Sequence, residues 1–183
     1  MVVRTASQQL LLGEWACLGI LYEGPAHGFA IASRLKPEGD IGRVWSLSRP
    51  LTYRSLEQLA LRGYIEPIGE ERGIAGGNRT ILAATREGRA RLRAWVRTPV
   101  AHLRDLRSEL LLKLVIAERC RIDAKAMLTA QRDRIAAIAA GLDQQGSGTD
   151  SRRDVVTLWR REAADAALRF VDALQPQVTA RSR

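Results

Sequence analysis

The stretch VWSLSRPLTYRSLEQLALRGYIEP, residues Val44–Pro67, decides the fold. Its second half has small and apolar residues at helical spacing on one face: Leu56, Leu59, Ala60 and Gly63. That spacing predicts a helix that buries one face in a core. The start of the same helix carries hydrogen-bonding and cationic side chains: Ser48, Arg49, Tyr53 and Arg54. An ordinary amphipathic helix spreads such groups around its solvent face, so this end faces either water or a binding partner.

Both ends of this helix have typical boundary residues. Ser48 is a favourable N-cap. Pro50 is tolerated in the first turn, because the backbone N–H groups there have no acceptor inside the helix. Gly63 is a typical C′ residue, so the sequence predicts a helix between Ser48 and Gly63.

Two further helices are predicted before this one, and a hairpin and a fourth helix after it. GEWACLGILYEGP, residues 13–25, and HGFAIASRLKPEG, residues 27–39, have apolar residues at helical spacing and end at Gly and Pro. Apolar residues at Tyr64–Ile68 and Ile81–Leu82 predict two short strands joined by a glycine-rich loop. A fourth helix follows Thr85, which can cap it. Three helices followed by a hairpin are typical of the winged helix-turn-helix, whose third helix enters the DNA major groove.

From Pro99 onward the sequence predicts helix throughout. Leu128, Ile135 and Leu142 recur at heptad spacing, which is typical of a coiled-coil seam. We expect this seam, with Trp159 on the last helix, to pack against a second copy of the chain.

A flexible link and a domain boundary complete the predicted organisation. The link is QQGSGTDS, residues 144–151, and Ser151 with Asp154 resembles a capping box that opens the last helix. The predicted fold class is mainly α with a small β-hairpin wing. A winged helix DNA-binding domain over residues 1–98 precedes a C-terminal helical dimerisation domain over residues 99–183.

The charge of the chain indicates an anionic partner. The formal net charge is +9, and the excess is shared between residues 1–98, with 14 basic and 9 acidic side chains, and residues 99–183, with 15 and 11. Three of the 29 basic residues are Lys and the others are Arg, whose planar fork suits phosphate and guanine. The codon bias of a GC-rich genome would produce the same excess of Arg.

Few residues of the chain are suited to metal binding or catalysis. Cys17 and Cys120 are too few for a disulfide framework or a zinc site, and we expect buried free thiols in a reducing cytosol. Neither His27 nor His102 lies at motif spacing from a nucleophile or carboxylate, so we expect no enzyme, metal or cofactor. Because Glu14 interrupts the one long apolar run, we expect a cytoplasmic protein with no membrane partner.

Four segments resemble PadR-type transcriptional regulators, in the order of that family. LGEWACLGILYEGPAHGFAIASRL resembles its opening helices, and SLSRPLTYRSLEQLALRGYIE its recognition helix. In the latter, Tyr53, Leu56, Leu59 and Gly63 match the pattern Tyr-x-x-Leu-x-x-Leu-x-x-x-Gly. ATREGRARLRAW resembles the helix after the wing, and LRDLRSELLLKLVIA the C-terminal region of the subgroup with a long dimerisation arm. The resemblance covers about residues 10–174.

The resemblance implies a set of DNA-binding residues. It also implies that the polar start of the third helix faces DNA. The implied residues are Ser48, Arg49, Leu51, Tyr53 and Arg54 on that helix, His27 before the second helix, and Arg72, Asn78 and Arg79 in the hairpin. Three features depart from the family: Phe29 replaces its usual Tyr, Thr52 its usual Leu, and the returning wing strand keeps Arg79 as its one basic residue. With Glu70 and Glu71 nearby, Arg72 and Arg79 are also interpretable as ordinary turn charges.

We therefore expect a sequence-specific DNA-binding regulator, a homodimer that represses at a pseudo-palindromic operator of double-stranded DNA. A small planar, phenolic or drug-like effector would release it, with Trp15 and Trp95 lining the effector pocket, although core packing also explains both residues. The alternative is a helical protein-interaction module that has lost DNA binding.

Overall fold

Three helices and a small sheet form the first part of the protein, whose computed structural model describes residues 9–72, 77–145 and 154–181. Its elements are α1 (Leu12–Glu23), β1 (Ala26–His27), α2 (Gly28–Arg34), α3 (Arg49–Leu61), β2 (Ile65–Arg72) and β3 (Asn78–Ala84). Helix α4 (Arg86–Val96) follows, and two compact units divide between Arg93 and Ala94 within it. Mainly α structure with a small β-hairpin confirms the predicted fold class.

Helix α3 begins and ends where its boundary residues predict. Ser48 occupies the N-cap position, although its side chain makes no capping hydrogen bond. The Ser48 carbonyl accepts hydrogen bonds from the Thr52 N–H at 2.9 Å and the Thr52 Oγ1 at 3.0 Å. Thr52 is fully buried, so this second bond satisfies its hydroxyl. At the other end Gly63 has φ +70°, a conformation that suits glycine and stops the helix.

The core of the first unit lies between α1 and α3. Leu18 and Leu21 of α1 and Leu59 of α3 are fully buried. Glu14 is buried among them, where its carboxylate accepts a hydrogen bond from the Leu11 N–H at 2.8 Å. Burial raises the pKa of the Cys17 thiol to about 12, so the thiolate that would make it reactive does not form at neutral pH.

A three-stranded antiparallel sheet joins the hairpin to the start of α2. The strand order is β1-β3-β2, and His27 of β1 lies opposite Ile81 of β3. Strand β1 was not predicted from the sequence, because two residues carry no alternation pattern. This short pairing connects the residue that opens α2 with the returning strand of the hairpin.

The second unit is helical. After a 3₁₀ turn (Leu103–Asp105) and a π-helical turn (Leu106–Leu110), α5 (Leu111–Cys120), α6 (Lys125–Gln145) and α7 (Val155–Arg181) follow. The N-cap of α7 is Asp154, whose carboxylate accepts hydrogen bonds from the Thr157 Oγ1 at 2.7 Å and the Thr157 N–H at 3.0 Å. These bonds lower the pKa of Asp154. Ser151, the predicted partner in a capping box, lies outside the described residues.

Helices α6 and α7 form an antiparallel pair. An ion pair at 2.6 Å joins Arg132 near the start of α6 to Asp172 near the end of α7. At the opposite end of the pair, Arg161 of α7 lies 3.1 Å from Asp143 of α6. The chain therefore folds back so that the two helices pack on each other.

This pairing gives the heptad seam a partner within the same chain. The seam residues are buried within a single chain: Leu128 and Ile135 are each 1% exposed and Leu142 8%. Ala164 and Val171 of α7 are fully buried as well. The spacing correctly indicated a packed helix face, but α7 of the same chain supplies a partner for α6. Contact of these three residues with a second copy stays a prediction.

Two buried polar side chains of the second unit bind the segment that follows α4. The Lys113 ammonium donates to the Thr98 carbonyl at 2.7 Å and pairs with Glu109 at 2.7 Å. Burial lowers the Lys113 pKa although Glu109 opposes this. The Gln131 amide hydrogen-bonds both the N–H and the C=O of Val100, at 2.6 and 3.2 Å. These bonds hold residues 98–100 against α5 and α6.

Candidate nucleic-acid interface

One face of α3 is buried along the helix, and the other face is exposed from its first turn to its last. Leu51 is 49% and Tyr53 44% exposed, whereas Leu56 is 5% exposed and Leu59 fully buried. Arg49 and Arg54 are exposed as well. The helix therefore packs one face into the core, and the exposed face of its N-terminal turns presents cationic and hydrogen-bonding groups at the surface.

His27 is oriented by the helix that it caps. Its Nδ1 accepts a hydrogen bond from the Ala30 N–H at 3.1 Å. In the neutral ring the proton is consequently on Nε2, which lies 3.4 Å from Nη1 of Arg79. Both of these nitrogens are then donors, so an anion placed against them would be bound by both.

Phe29 lies at the centre of the cationic side chains. The guanidinium carbon of Arg49 is 5.4 Å from the centroid of the Phe29 ring, and that of Arg79 is 5.6 Å from it. Arg49 is also 5.8 Å from the ring of Tyr53, one helical turn along α3. Distances of this size are within the range of cation–π attraction.

A groove of about 530 Å³ separates α3 from β3 and the start of α2. Five of the predicted DNA-binding residues line it: His27, Arg49, Tyr53, Asn78 and Arg79. On the α2 side of the groove, the backbone and the Tyr53 ring are in close contact, because a Cβ atom on Gly28 would lie 2.8 Å from Cε1 of Tyr53. Glycine at this position lets the tyrosine ring lie directly against the backbone of α2.

The three predicted DNA-binding residues of the hairpin differ in their surroundings. The Asn78 side-chain amide donates to Oε2 of Glu70 at 2.7 Å, so this predicted DNA ligand is engaged within the hairpin. Arg72 is exposed and lies opposite Asn78 where the two strands separate. Arg79 is the hairpin arginine that reaches the groove.

The architecture and this surface can be compared with known proteins. No family model and no curated protein matches the chain. Bacillus subtilis PadR in complex with operator DNA matches at 19% identity, with 88% of this chain and 97% of that chain covered and a TM-score of 0.45. Bacillus subtilis PadR crystallised alone matches at 18% identity, with 96% and 99% covered and a TM-score of 0.42.

A PadR-like transcriptional regulator from Bacillus cereus is similar at 20% identity. Here 92% of this chain and 94% of that chain are covered, and the TM-score is 0.39. The chain is similar to PadR-type regulators. That is the family its sequence motifs resemble.

Ion pairing separates the arginines of this PadR-like chain into two groups. Arg34 binds Glu23 at 2.7 Å and Asp40 at 2.8 Å, which ties α2 to its neighbours. Within the described ranges no carboxylate forms a salt bridge with the arginines of the exposed surface: Arg49, Arg54 and Arg79. Three cations without a protein counter-ion are available to an anionic ligand.

The tryptophans predicted to line an effector pocket differ in exposure. Trp15 is 3% exposed and therefore lies in the core. Trp95 is half-buried, and the Lys113 ammonium lies 5.0 Å from its ring. Of the two rings, Trp95 is the one that a ligand can reach without displacing core side chains.

The sequence reasoning missed Phe29 as a member of this surface. It identified this residue only as a departure from the tyrosine of the PadR pattern and, as one of the apolar residues at helical spacing in residues 27–39, as part of a helix face expected to be buried. The ring is 46% exposed instead. A signal was present, because an aromatic residue directly after His27-Gly28 lies in the first turn of the predicted second helix.

Proposed function

We propose that this protein is a sequence-specific DNA-binding transcriptional regulator, a cytoplasmic homodimer that represses at a pseudo-palindromic operator. The observation that carries the proposal is the cationic N-terminal end of α3, which is exposed beside a groove and has no protein counter-ion among the described residues. Helix N-termini attract phosphate, and arginine binds guanine and phosphate through two donors.

Each part of the surface has a distinct role in the proposal. Arg49 and Arg54 reach base edges or backbone oxygens from the first turns of α3. Leu51, half exposed, is suited to the methyl group of thymine. Ser48 and Tyr53 offer hydroxyl groups to phosphates at the edge of the major groove.

The hairpin side of the groove contributes a second set of contacts. His27 and Arg79 place two donors side by side, where they fit a phosphate of the flanking backbone. Because the Asn78 side-chain amide donates a hydrogen bond to Glu70, we assign Asn78 no direct contact with DNA. Arg72 is assigned to the backbone beyond the end of the hairpin.

Dimerisation is assigned to the outer face of α7. Four exposed apolar residues recur there at helical spacing: Val155, Trp159, Ala166 and Phe170. Trp159 is 71% exposed, which is unusual for so large an apolar side chain in a chain without a partner. A twofold dimer would present two copies of α3 to half-sites about one helical turn, ~34 Å, apart.

Binding to DNA beside the protein's own gene tests the proposed function. A labelled duplex of about 30 base pairs from that intergenic region accommodates two half-sites. We expect binding that weakens steeply with added salt and that a scrambled duplex of equal composition does not compete away at equimolar amounts. Equal affinity for both duplexes would reject sequence-specific recognition, and binding to neither would favour the alternative, a helical interaction module.

A planar phenolic or drug-like effector is assigned to the half-buried ring of Trp95. Such a ligand releases DNA only to the extent that it binds one dimer geometry better than the other. We expect a releasing compound to quench tryptophan fluorescence in parallel with DNA release, and Trp95→Phe to remove the quenching. Trp15→Phe is the matched control, because this ring is buried. A compound that releases DNA equally from both variants and the parent would place the pocket elsewhere.

A further inference from the structure

Phe29 has an environment that hydrophobic packing does not explain. Its ring is 46% exposed, so little apolar surface is removed from water, and a leucine would serve a packing role equally well. Two guanidinium groups nevertheless lie within 5.6 Å of its centroid. The His27 ring centroid is 6.3 Å away, with the two ring planes inclined at 31°.

The two arginines come from separate elements of the fold. Arg49 is the first residue of α3, and Arg79 is the second residue of β3. Two cations that approach the same point repel each other, and the negative face of an aromatic ring lowers that cost. Phe29 is thus a common partner for the recognition helix and the hairpin.

Arg79 also has a nearer candidate partner that it does not use. Glu71 lies directly opposite Arg79 in the register of β2 and β3, where side chains share one face of the sheet. No salt bridge joins this pair, both members of which belong to the described part of the hairpin. The guanidinium group lies over Phe29 instead, on the groove side.

We propose that Phe29 is a positioning residue that holds Arg49 and Arg79 together, so that α3 and the hairpin bind the DNA backbone as one coupled unit. The proposal rests on the proposed function and adds a residue that itself contacts no base or phosphate. Fixing both guanidinium groups before binding lowers the entropy lost when they engage phosphates. Of the two hairpin arginines, Arg72 and Arg79, it is Arg79 that lines the groove, so contact at this point depends strongly on such positioning.

The geometry is testable without DNA. With ¹⁵N-labelled arginine, the Nε–Hε resonances of Arg49 and Arg79 should both carry a ring-current shift that decreases in Phe29→Leu, with the contribution of Tyr53 remaining at Arg49, and that persists in Phe29→Tyr. Arg54 is the internal control, because no aromatic ring is recorded beside it among the described residues. Unshifted resonances for Arg49 and Arg79 in the parent would overturn the proposal whether or not the protein binds DNA.

The energetic coupling between Phe29 and the two arginines is tested by measuring binding to the intergenic duplex. We expect Phe29→Leu to weaken binding about tenfold and to reduce its salt dependence, and Phe29→Tyr to keep parental affinity. In a double-mutant cycle, Arg79→Ala should lose less affinity in the Phe29→Leu background than in the parent, and Arg49→Ala likewise. Leu61→Ala, which removes an exposed apolar side chain at the far end of α3, should change neither quantity.

Two outcomes would contradict the positioning role. Additive losses in both cycles would show that Phe29 acts independently of the arginines. Parental affinity and salt dependence in Phe29→Leu would show that the ring is dispensable for DNA binding. A parent protein that binds no duplex would defeat the proposed function, and the arginine resonances would still decide the geometry.

Discussion

Replacing Arg49 and Arg54 together by alanine should abolish sequence-specific binding to the operator duplex while the protein remains folded. A bidentate base contact contributes about 1–3 kcal/mol, so losing the pair should cost about 2–6 kcal/mol, roughly 30- to 25,000-fold in affinity. Folding should be retained, because both side chains are exposed and the helix is held by Leu56 and Leu59. Fluorescence anisotropy at two salt concentrations, with circular dichroism for the fold, measures both quantities.

The single variants separate base from backbone contacts. A residue that binds a base should lose affinity for the operator more than for a scrambled duplex, whereas a phosphate ligand should lower both and reduce the salt slope by about one. Arg86→Ala is the matched control. Arg86 is exposed and follows Thr85, whose hydroxyl donates to the carbonyl of Gly63 beyond the far end of α3. Parental affinity in the double variant would reject α3 as the recognition helix.

Val155→Arg combined with Trp159→Arg should convert the dimer into a monomer and weaken operator binding by about 10²–10⁴-fold. The reason is that a dimer binds its second half-site at a high effective concentration, which a monomer lacks. Both residues are more than 70% exposed in a single chain, so the charges leave the α6–α7 pairing in place. Sedimentation velocity at micromolar concentration gives the oligomeric state, and anisotropy the affinity.

Arginine is used for both substitutions so that a loss of affinity can be attributed to the loss of the dimer. Added positive charge strengthens non-specific attraction to DNA, so a loss of affinity cannot come from the charge itself. Asp165→Arg, at an exposed polar position of the same helix, should stay dimeric and bind at least as well as the parent. A parent that sediments as a monomer would refute the assigned interface, as would a double variant that still sediments as a dimer.

Local chemistry made helix α3 predictable. Ser48 and Gly63 are boundary residues whose preference comes from the backbone of their own segment, and both hold the positions that the sequence predicts. The buried face was equally readable, since Leu56 and Leu59 have a spacing with one structural interpretation. The spacing does not account for Leu61, which is 75% exposed at the C-terminal end of the helix.

The partner of the heptad face and the surroundings of Phe29 depended on contacts between segments that are distant in sequence. Heptad spacing shows that Leu128, Ile135 and Leu142 need a partner, but it does not say which helix provides it, and α7 of the same chain does. Similarly, nothing local links Phe29 to Arg79, fifty residues later. The two-residue strand β1 brings them together by pairing His27 with Ile81.

The pairing of α6 with α7 has a consequence for how related regulators diverge. Because the inner faces of both helices are satisfied within one chain, the outer face of α7 can accumulate substitutions without unfolding the protein. Duplicated genes could therefore acquire mutually exclusive partners one residue at a time, each intermediate remaining a folded chain. In the proposed dimer, fold maintenance and self-recognition are under separate selection, on opposite sides of a single helix.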